Sequence, residues 1–183
     1  MNSKEKRKEI NQILLTNTAK ENIETLIKYI PEIEKIKGFE HKHPHHHLDV
    51  LGHTLLVLDN LSSENDLEIK MAGLLHDIGK PFSYQDGEVR HFHGHPEISA
   101  KITDKILTQL GYEANFVKNV NYLVKMHDTI IEPNNLDNTY QMTVKRLKLQ
   151  YADAKAHAPS KVEKRVELLD EIKMKLEKTR EER

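Results

Sequence analysis

The chain has no cysteine, which excludes disulfides, thiolate zinc sites and a cysteine nucleophile and leaves only His, Asp and Glu to hold a metal. It has no tryptophan and few other aromatic residues. No stretch approaches the roughly 20 apolar residues of a membrane span, and the N-terminus, MNSKEKRKEI, lacks the apolar core of a secretion signal. A cytoplasmic protein with no membrane partner is expected. Neither sign of charge dominates, with 28 Lys and Arg against 29 Asp and Glu. Binding DNA normally requires a cationic excess, so no DNA partner is expected, although local basic patches remain open. At 183 residues, 31% charged and 37% hydrophobic, the chain suits a single domain that buries a proper core.

What the chain has in excess is histidine. Ten of its twelve histidines fall between His41 and His95, six of them in the stretch HKHPHHHLDVLGH at 41–53. His41, His43 and His45 surround Pro44 without register to a helix, and solvated side chains are expected there.

The hydrophobic pattern is that of helices joined by short breaks, an all-α class. SKEKRKEINQILL is a weakly amphipathic lead-in, and NTAKENIETLIKYI spaces Ile23, Leu26, Ile27 and Ile30 helically until Pro31 stops it. A loop with Pro31, Gly38 and Pro44 leads to HLDVLGHTLLVLDNL, where Leu48, Leu51, Leu55 and Leu58 form a stripe. SSENDLEIKMAGLLHDIGK opens on the capping residues Ser62, Ser63 and Asp66 and runs apolar to Gly79 and Pro81. Residues 83–93 are expected to form a small β-hairpin about the tight-turn pair Asp86-Gly87. Pro96 suits the first turn of the next helix, which closes on Gly111. Three more helices follow, the last with a seam of Val162, Val166, Leu169, Ile172 and Leu176 and a tail, EKTREER, expected to fray. The expected organisation is one compact bundle: residues 1–38 a helical lead-in, 39–160 a metal-binding core, and 161–183 a C-terminal helix.

His76-Asp77 sits near the end of an apolar helix. A carboxylate beside an imidazole in such surroundings is costly unless paired or bound to a cation. An isolated pair would suggest only a helix-end salt bridge or cap, but further ligand types occur elsewhere in the chain. Neighbouring helical residues point about 100° apart, so both can hold one ion only if it lies between them, with other helices supplying the remaining ligands. His53, flanked by leucines, is one candidate; Asp153, among Ala152, Ala154 and Ala156, is another. Two imidazoles and two carboxylates suit Mn²⁺, Fe²⁺ or Co²⁺.

In order, His53, His76-Asp77 and Asp153 resemble the H…HD…D pattern of the HD superfamily of metal-dependent phosphohydrolases. The likeness spans roughly residues 45–160 and includes the surroundings LLHDIGKP, GHPEISA and YADAKAHAP. It is nearest in flavour to the HD module of bacterial CCA-adding tRNA nucleotidyltransferases; the nucleotidyltransferase head is not found here, so tRNA synthesis is not implied. The resemblance implies a compact HD-domain bundle holding one or two divalent metal ions of the Mn, Fe, Co, Ni or Mg class. It implies hydrolysis of a phosphate monoester or diester by a metal-activated water, with a nucleotide or 2′,3′-cyclic nucleotide as the expected small-molecule substrate. An RNA end is a further partner class, and the oligomeric state is open. His95 and His127 match positions from which binuclear HD proteins hold a second metal, with the HD aspartate, here Asp77, bridging. HD-GYP phosphodiesterases and myo-inositol oxygenase are of this kind. A diiron oxygenase and a non-catalytic nucleotide- or RNA-sensing module are the alternatives.

Supporting groups follow from register. Lys80 resembles the lysine of the HDxGK variant and would stabilise phosphoryl charge, or would compensate a helix dipole. Arg146, two turns before Asp153, shares its face and is expected to contact substrate phosphate. His157, four residues after Asp153, and Asp49, four before His53, are expected to support those ligands. His47, with His46 beside it, is placed to approach the substrate mouth. His91 and His93 alternate along the expected strand, where they line the entrance or face solvent.

Overall fold

The helix Leu67–Leu75 has no polar face: every residue from Ile69 to Leu75 is buried, so other elements must surround it. The computed structural model describes residues 1–181. Their helices are α1 (Ser3–Leu15), α2 (Ile23–Tyr29), α3 (Val50–Asn60), α4 (Leu67–Leu75), α5 (His95–Gln109), α6 (Ala114–Met126), α7 (Tyr140–Lys155) and α8 (Pro159–Glu181). α4 is the axis of an all-α bundle, packed by α1, α3, α6 and α7, while α5 pairs with α6 and α8 lies on α7. Its one cation, Lys70, passes between the neighbours. The Lys70 Nζ donates to Leu14 O at the end of α1, at 3.1 Å, and to Asn17 Oδ1.

Two apolar clusters meet at α7. The main core joins α1 to α7 through residues such as Ile10, Leu26, Val57, Leu74, Val120 and Leu149. A smaller cluster joins α7 to α8 through Leu147, Ala154, Leu169, Ile172 and Leu176. Asp153 lies on α7 between residues of the two clusters, which fixes its backbone from both sides. No helix among the described residues is long and apolar enough to cross a membrane.

Side-chain caps start α1, α3, α4 and α7. Asn2 and Glu5 close a capping box on α1, and Asp66 Oδ1 accepts from the Glu68 amide at 2.9 Å on α4. Gly94, at φ 74°, caps α5 in a backbone region that side chains disfavour, with a proline in the first turn. Gly79 permits another close approach: an added Cβ would lie 2.5 Å from Ser99 N and 2.9 Å from His95 O. This contact holds the turn after α4 against the start of α5.

Three local expectations are corrected. Residues Pro31–Ile36 form a 3₁₀ helix rather than a loop, because Ile33 and Ile36 are fully buried. The expected hairpin at 83–93 reduces to a single bridge between Gln85 and His91. Pairing stops there because the Arg90 amide donates to Lys42 O at 3.0 Å, in a different loop. α8 stays helical to Glu181, so most of the tail expected to fray is ordered; its last two residues lie outside the described residues.

Candidate metal centre

Three turns of chain meet beside α7. His53 projects from α3 and Asp153 from α7, while His76 and Asp77 follow the last residue of α4. All four are buried, and His76 is fully so. His53 Nε2 lies 2.9 Å from Asp153 Oδ1 and 3.4 Å from His76 Nε2. His76 Nε2 is 3.2 Å from Asp77 Oδ2. On the other side of Asp77, Oδ1 faces His95 Nε2 at 3.2 Å and His127 Nε2 at 3.7 Å. Those two imidazoles are 3.2 Å apart. One carboxylate therefore presents its two oxygens to two separate pairs of imidazoles.

The rings are held in one orientation. His76 Nδ1 donates to Gly73 O at 2.9 Å, His95 Nδ1 to Phe92 O at 2.9 Å, and His127 Nδ1 to Val124 O at 2.7 Å. His53 Nδ1 donates more weakly to Ala156 O at 3.3 Å. A carbonyl can only accept, so each Nδ1 carries a proton and each Nε2 is turned into the cluster, where a metal would displace the proton that His53 and His76 share with the carboxylates.

Electrostatics agree with a cation-binding site. Burial alone would lower the pKa of His76, but Asp77 and Asp153 raise it to about 10. Burial would raise Asp77, yet His76 and Lys80 hold it well below the carboxylate range. Asp153 is held low against burial by its hydrogen bonds from His53 and His76. Burial, reinforced by His76, lowers His127 to about 3. The donor set fits a divalent metal. Neither oxygen of Asp77 accepts an aligned hydrogen bond from a described residue, even though Lys80 Nζ is 2.7 Å from Oδ2. Two groups, His53-His76-Asp153 and His76-Asp77-His127, each bring their ligand atoms within 4.8 Å of one another.

The supporting residues are placed differently from expectation in several cases. Lys80 is at the site, held between Asp77 and His41, whose Nε2 is 3.0 Å from its Nζ. His41 itself is buried, contrary to the solvated role expected. Its Nδ1 donates to Leu48 O at 2.9 Å, and burial then Lys80 lower its pKa to about 3. Arg146 does not reach the cavity. Its guanidinium is buried and donates to the carbonyls of Met126 at 3.0 Å, Thr129 at 2.5 Å and Ile130 at 3.2 Å, with Asp137 alongside. It ties α7 to the chain after α6. Asp49 does not orient His53 either. Because α3 begins at Val50, Asp49 is its N-cap, accepting from Gly52 N at 2.7 Å and Gly38 N at 2.6 Å.

His157 is buried beside Asp153, donating from Nδ1 to Asp153 O at 2.7 Å. His47 is exposed and is not among the residues lining the cavity; His46 takes that place. The cavity above the cluster has a volume of about 240 Å³, and His93 lies on its rim with His91, the two rings stacked.

Sequence reasoning missed four residues that line this cavity, Arg90, Phe92, Asp128 and Arg165. Arg165 Nη2 is 3.9 Å from Asp153 Oδ2, with its side chain 39% exposed. Its signal was legible: it lies between Val162 and Leu169 at helical spacing, a cation on the seam of α8. Asp128 repeats the His-Asp dipeptide at 127–128. Partial desolvation, then the nearby Asp153 and Asp77, raise its pKa, although the residue is exposed at the rim.

The chain is 38% identical over 104 residues to an A-adding tRNA nucleotidyltransferase of Deinococcus radiodurans, covering 54% of this chain and 24% of that protein. It is 35% identical over 113 residues to a CC-adding tRNA nucleotidyltransferase of Thermus thermophilus, covering 58% and 26%. A multifunctional CCA protein of Janthinobacterium sp. is 33% identical over 87 residues, covering 46% and 21%. The matched part thus spans about a quarter of the length of these relatives. The family model of the HD domain matches residues 45–174, most of the chain and every buried ligand candidate. The chain belongs to the HD-domain family of the metal-dependent phosphohydrolase superfamily.

Proposed function

We propose that the protein hydrolyses a phosphate monoester or diester, using a centre that takes two divalent cations. The observation that carries this reading is the division of Asp77, whose Oδ2 faces His53 and His76 and whose Oδ1 faces His95 and His127. His53, His76 and Asp153 would hold one cation, His95 and His127 the other, with Asp77 between them. Bound cations of the Mn, Fe, Co, Ni or Mg class would polarise a phosphoryl oxygen and make water nucleophilic near neutral pH.

The protein's own groups supply the rest. The carbonyls behind each Nδ1 fix the ligands before substrate arrives, so little reorganisation is needed. Lys80 keeps a fixed positive charge beside Asp77, where charge on phosphoryl oxygens develops. Arg165, rather than the expected Arg146, provides the second cation, and its half-exposed side chain can swing towards a phosphate. The cavity is on the scale of a small molecule, and Lys80 and Arg165 beside the cluster favour an anionic one. A nucleotide or 2′,3′-cyclic nucleotide is the proposed substrate class. The tRNA named in the relatives makes an RNA end the proposed macromolecular form of that chemistry.

The test is elemental analysis of the purified protein, followed by a panel of phosphomonoesters and phosphodiesters with Mn²⁺, Co²⁺, Ni²⁺ and Mg²⁺. The expected result is about two metal equivalents and metal-dependent release of phosphate or ring opening. Oxygen consumption by iron-loaded protein without any phosphoester cleavage would identify an oxygenase instead. Nucleotide-dependent thermal shifts without turnover would identify a sensing module.

A further inference from the structure

Above the buried centre lies a second set of imidazoles. His43 and His45 come from the loop before α3, His91 and His93 from the loop before α5, and all four line the cavity. Ring centroids are 4.5 Å apart for His43 and His45, 6.1 Å for His43 and His91, and 5.5 Å for His91 and His93. Arg90 builds this arrangement. Its buried side chain donates to Asp86 Oδ1 and to Glu40 O, both at 2.7 Å, and its guanidinium lies over the rings of Phe39 and Tyr84. Its amide donates to Lys42 O at 3.0 Å. The two loops are thus tied together at the residues adjoining His43 and His91.

His46 connects this layer to the interior. Its ring centroid is 6.3 Å from that of His43, 5.0 Å from His53 and 4.6 Å from His157. Its Nδ1 is buried with no hydrogen-bond partner among the described residues. Through such contacts every histidine except His47 belongs to one continuous series of imidazoles, running from solvent to the ligands.

We propose that His43, His45, His91 and His93 form a capture site for divalent cations of the late d block, Co²⁺ to Zn²⁺, which pass by way of His46 to the buried centre. The proposal rests on the reading of that centre as a metal site. A set of imidazoles without a carboxylate selects Co²⁺, Ni²⁺, Cu²⁺ and Zn²⁺ over Mg²⁺ and Mn²⁺. The close-packed ligand groups among the described residues all belong to the centre, so the mouth imidazoles do not converge on one point. His43 Nδ1 also accepts the His45 amide at 3.2 Å, a bond that a cation on that nitrogen must displace. Capture is therefore weak and reversible, as delivery requires: a stage must bind well enough to be entered and loosely enough to be left. Successive imidazoles replace hydration waters one by one, which spreads the cost of dehydrating a cation bound for a buried site.

The test compares the rate at which metal-free protein takes up Co²⁺, followed by its visible absorption in stopped flow. In the quadruple variant His43→Gln/His45→Gln/His91→Gln/His93→Gln, the affinity and stoichiometry of the tight centre should be unchanged. Loading should slow by about tenfold, the scale on which a raised local concentration acts, and the weakly bound Co²⁺ equivalents should disappear. Mn²⁺ loading, followed by electron paramagnetic resonance, should not change. His91 and His93 are exposed, so the double variant His91→Gln/His93→Gln tests the same point with little risk to folding and should show a smaller slowing. Unchanged Co²⁺ loading in variants that retain the tight centre overturns the capture site. Failure of the wild-type protein to bind Co²⁺ tightly overturns the reading of the centre itself, and the capture site with it.

Discussion

The buried centre and the mouth above it are built from the same side chain and behave differently because their scaffolds differ. His76 and His127 each follow the last residue of a helix and donate from Nδ1 to the carbonyl three residues back. The helix end thereby sets ring, tautomer and direction at once. His43, in a loop, accepts a hydrogen bond at Nδ1 instead. The centre also contains Asp77 and Asp153, whereas the four mouth histidines have no carboxylate among them. A fixed tautomer together with anionic charge makes a tight cation site; adaptable neutral rings make a loose one.

The sharpest way to break this contrast is to remove the shared carboxylate. Asp77→Ala should abolish tight metal binding at both positions and lower kcat/KM by about a thousandfold or more, read by elemental analysis and the phosphoester panel. Retained activity would refute the assignment of the centre. Deleting one side only, by His127→Ala, should leave about one equivalent of metal. Loss of both equivalents, or of neither, would mean that the two halves of the site do not divide at Asp77.

A second pair, Arg146 and Arg165, contrasts a cation of the scaffold with one of the site. The buried Arg146 donates to three backbone carbonyls at the end of α6 and just beyond it. Arg146→Ala should cost about 3 kcal/mol, since it removes three charge-assisted hydrogen bonds and a buried side chain, although Met126 O and Thr129 O keep Gln150 as a donor, and should lower Tm by about 10 °C. Metal content per folded chain should be unchanged. If stability holds and activity collapses, Arg146 belongs to the site after all.

These two arginines also show what the sequence makes legible. The ligands His53, His76, Asp77 and Asp153 are readable because helical register and the spacing of the HD pattern both constrain them. Arg146 has the right register relative to Asp153, but register does not say which neighbour a long side chain meets, and here the carbonyls after α6 capture it. Arg165 was missed because its partner, Asp153, lies on a different helix. The loops are least legible. His41 reads as solvated from sequence because nothing local indicates that Lys80 and Leu48 O enclose it, and the Asp86-Gly87 turn carries no sign that Arg90 pairs with another loop.

Acidity should separate the interior from the mouth less drastically. In the folded protein burial holds His41 and His127 at about 3 and His157 at about 4, against an ordinary 6.5. Between those values the unfolded chain binds more protons, so stability falls as pH drops below about 6.5. Asp77 and Asp153, held low in the fold, add to the loss once pH approaches the ordinary carboxylate value of 3.8. His76 acts in the opposite window. Raised to about 10, it keeps a proton that the unfolded chain loses above 6.5, so its contribution fades as pH climbs from there. Metal-free protein should therefore be most stable near neutrality in denaturant titrations, and a profile that stays flat between about pH 5 and 7 would contradict the burial of these rings.

The smallest effect is expected at Arg165. The half-exposed guanidinium lies 3.9 Å from Asp153, too distant and too solvated for a strong ion pair. Arg165→Gln should leave Tm and metal content close to those of the wild type. If the side chain binds substrate phosphate, the loss should appear in KM, raised by about tenfold, with kcat less affected, because contacts that precede the transition state act on binding. Arg165→Lys should restore part of the loss through charge alone, and a pair of substrates differing by one phosphate should separate under the mutation. An unchanged KM for every phosphoester would leave Lys80 as the cation that meets the substrate, and would place Arg165 with Arg146, as a residue of the scaffold.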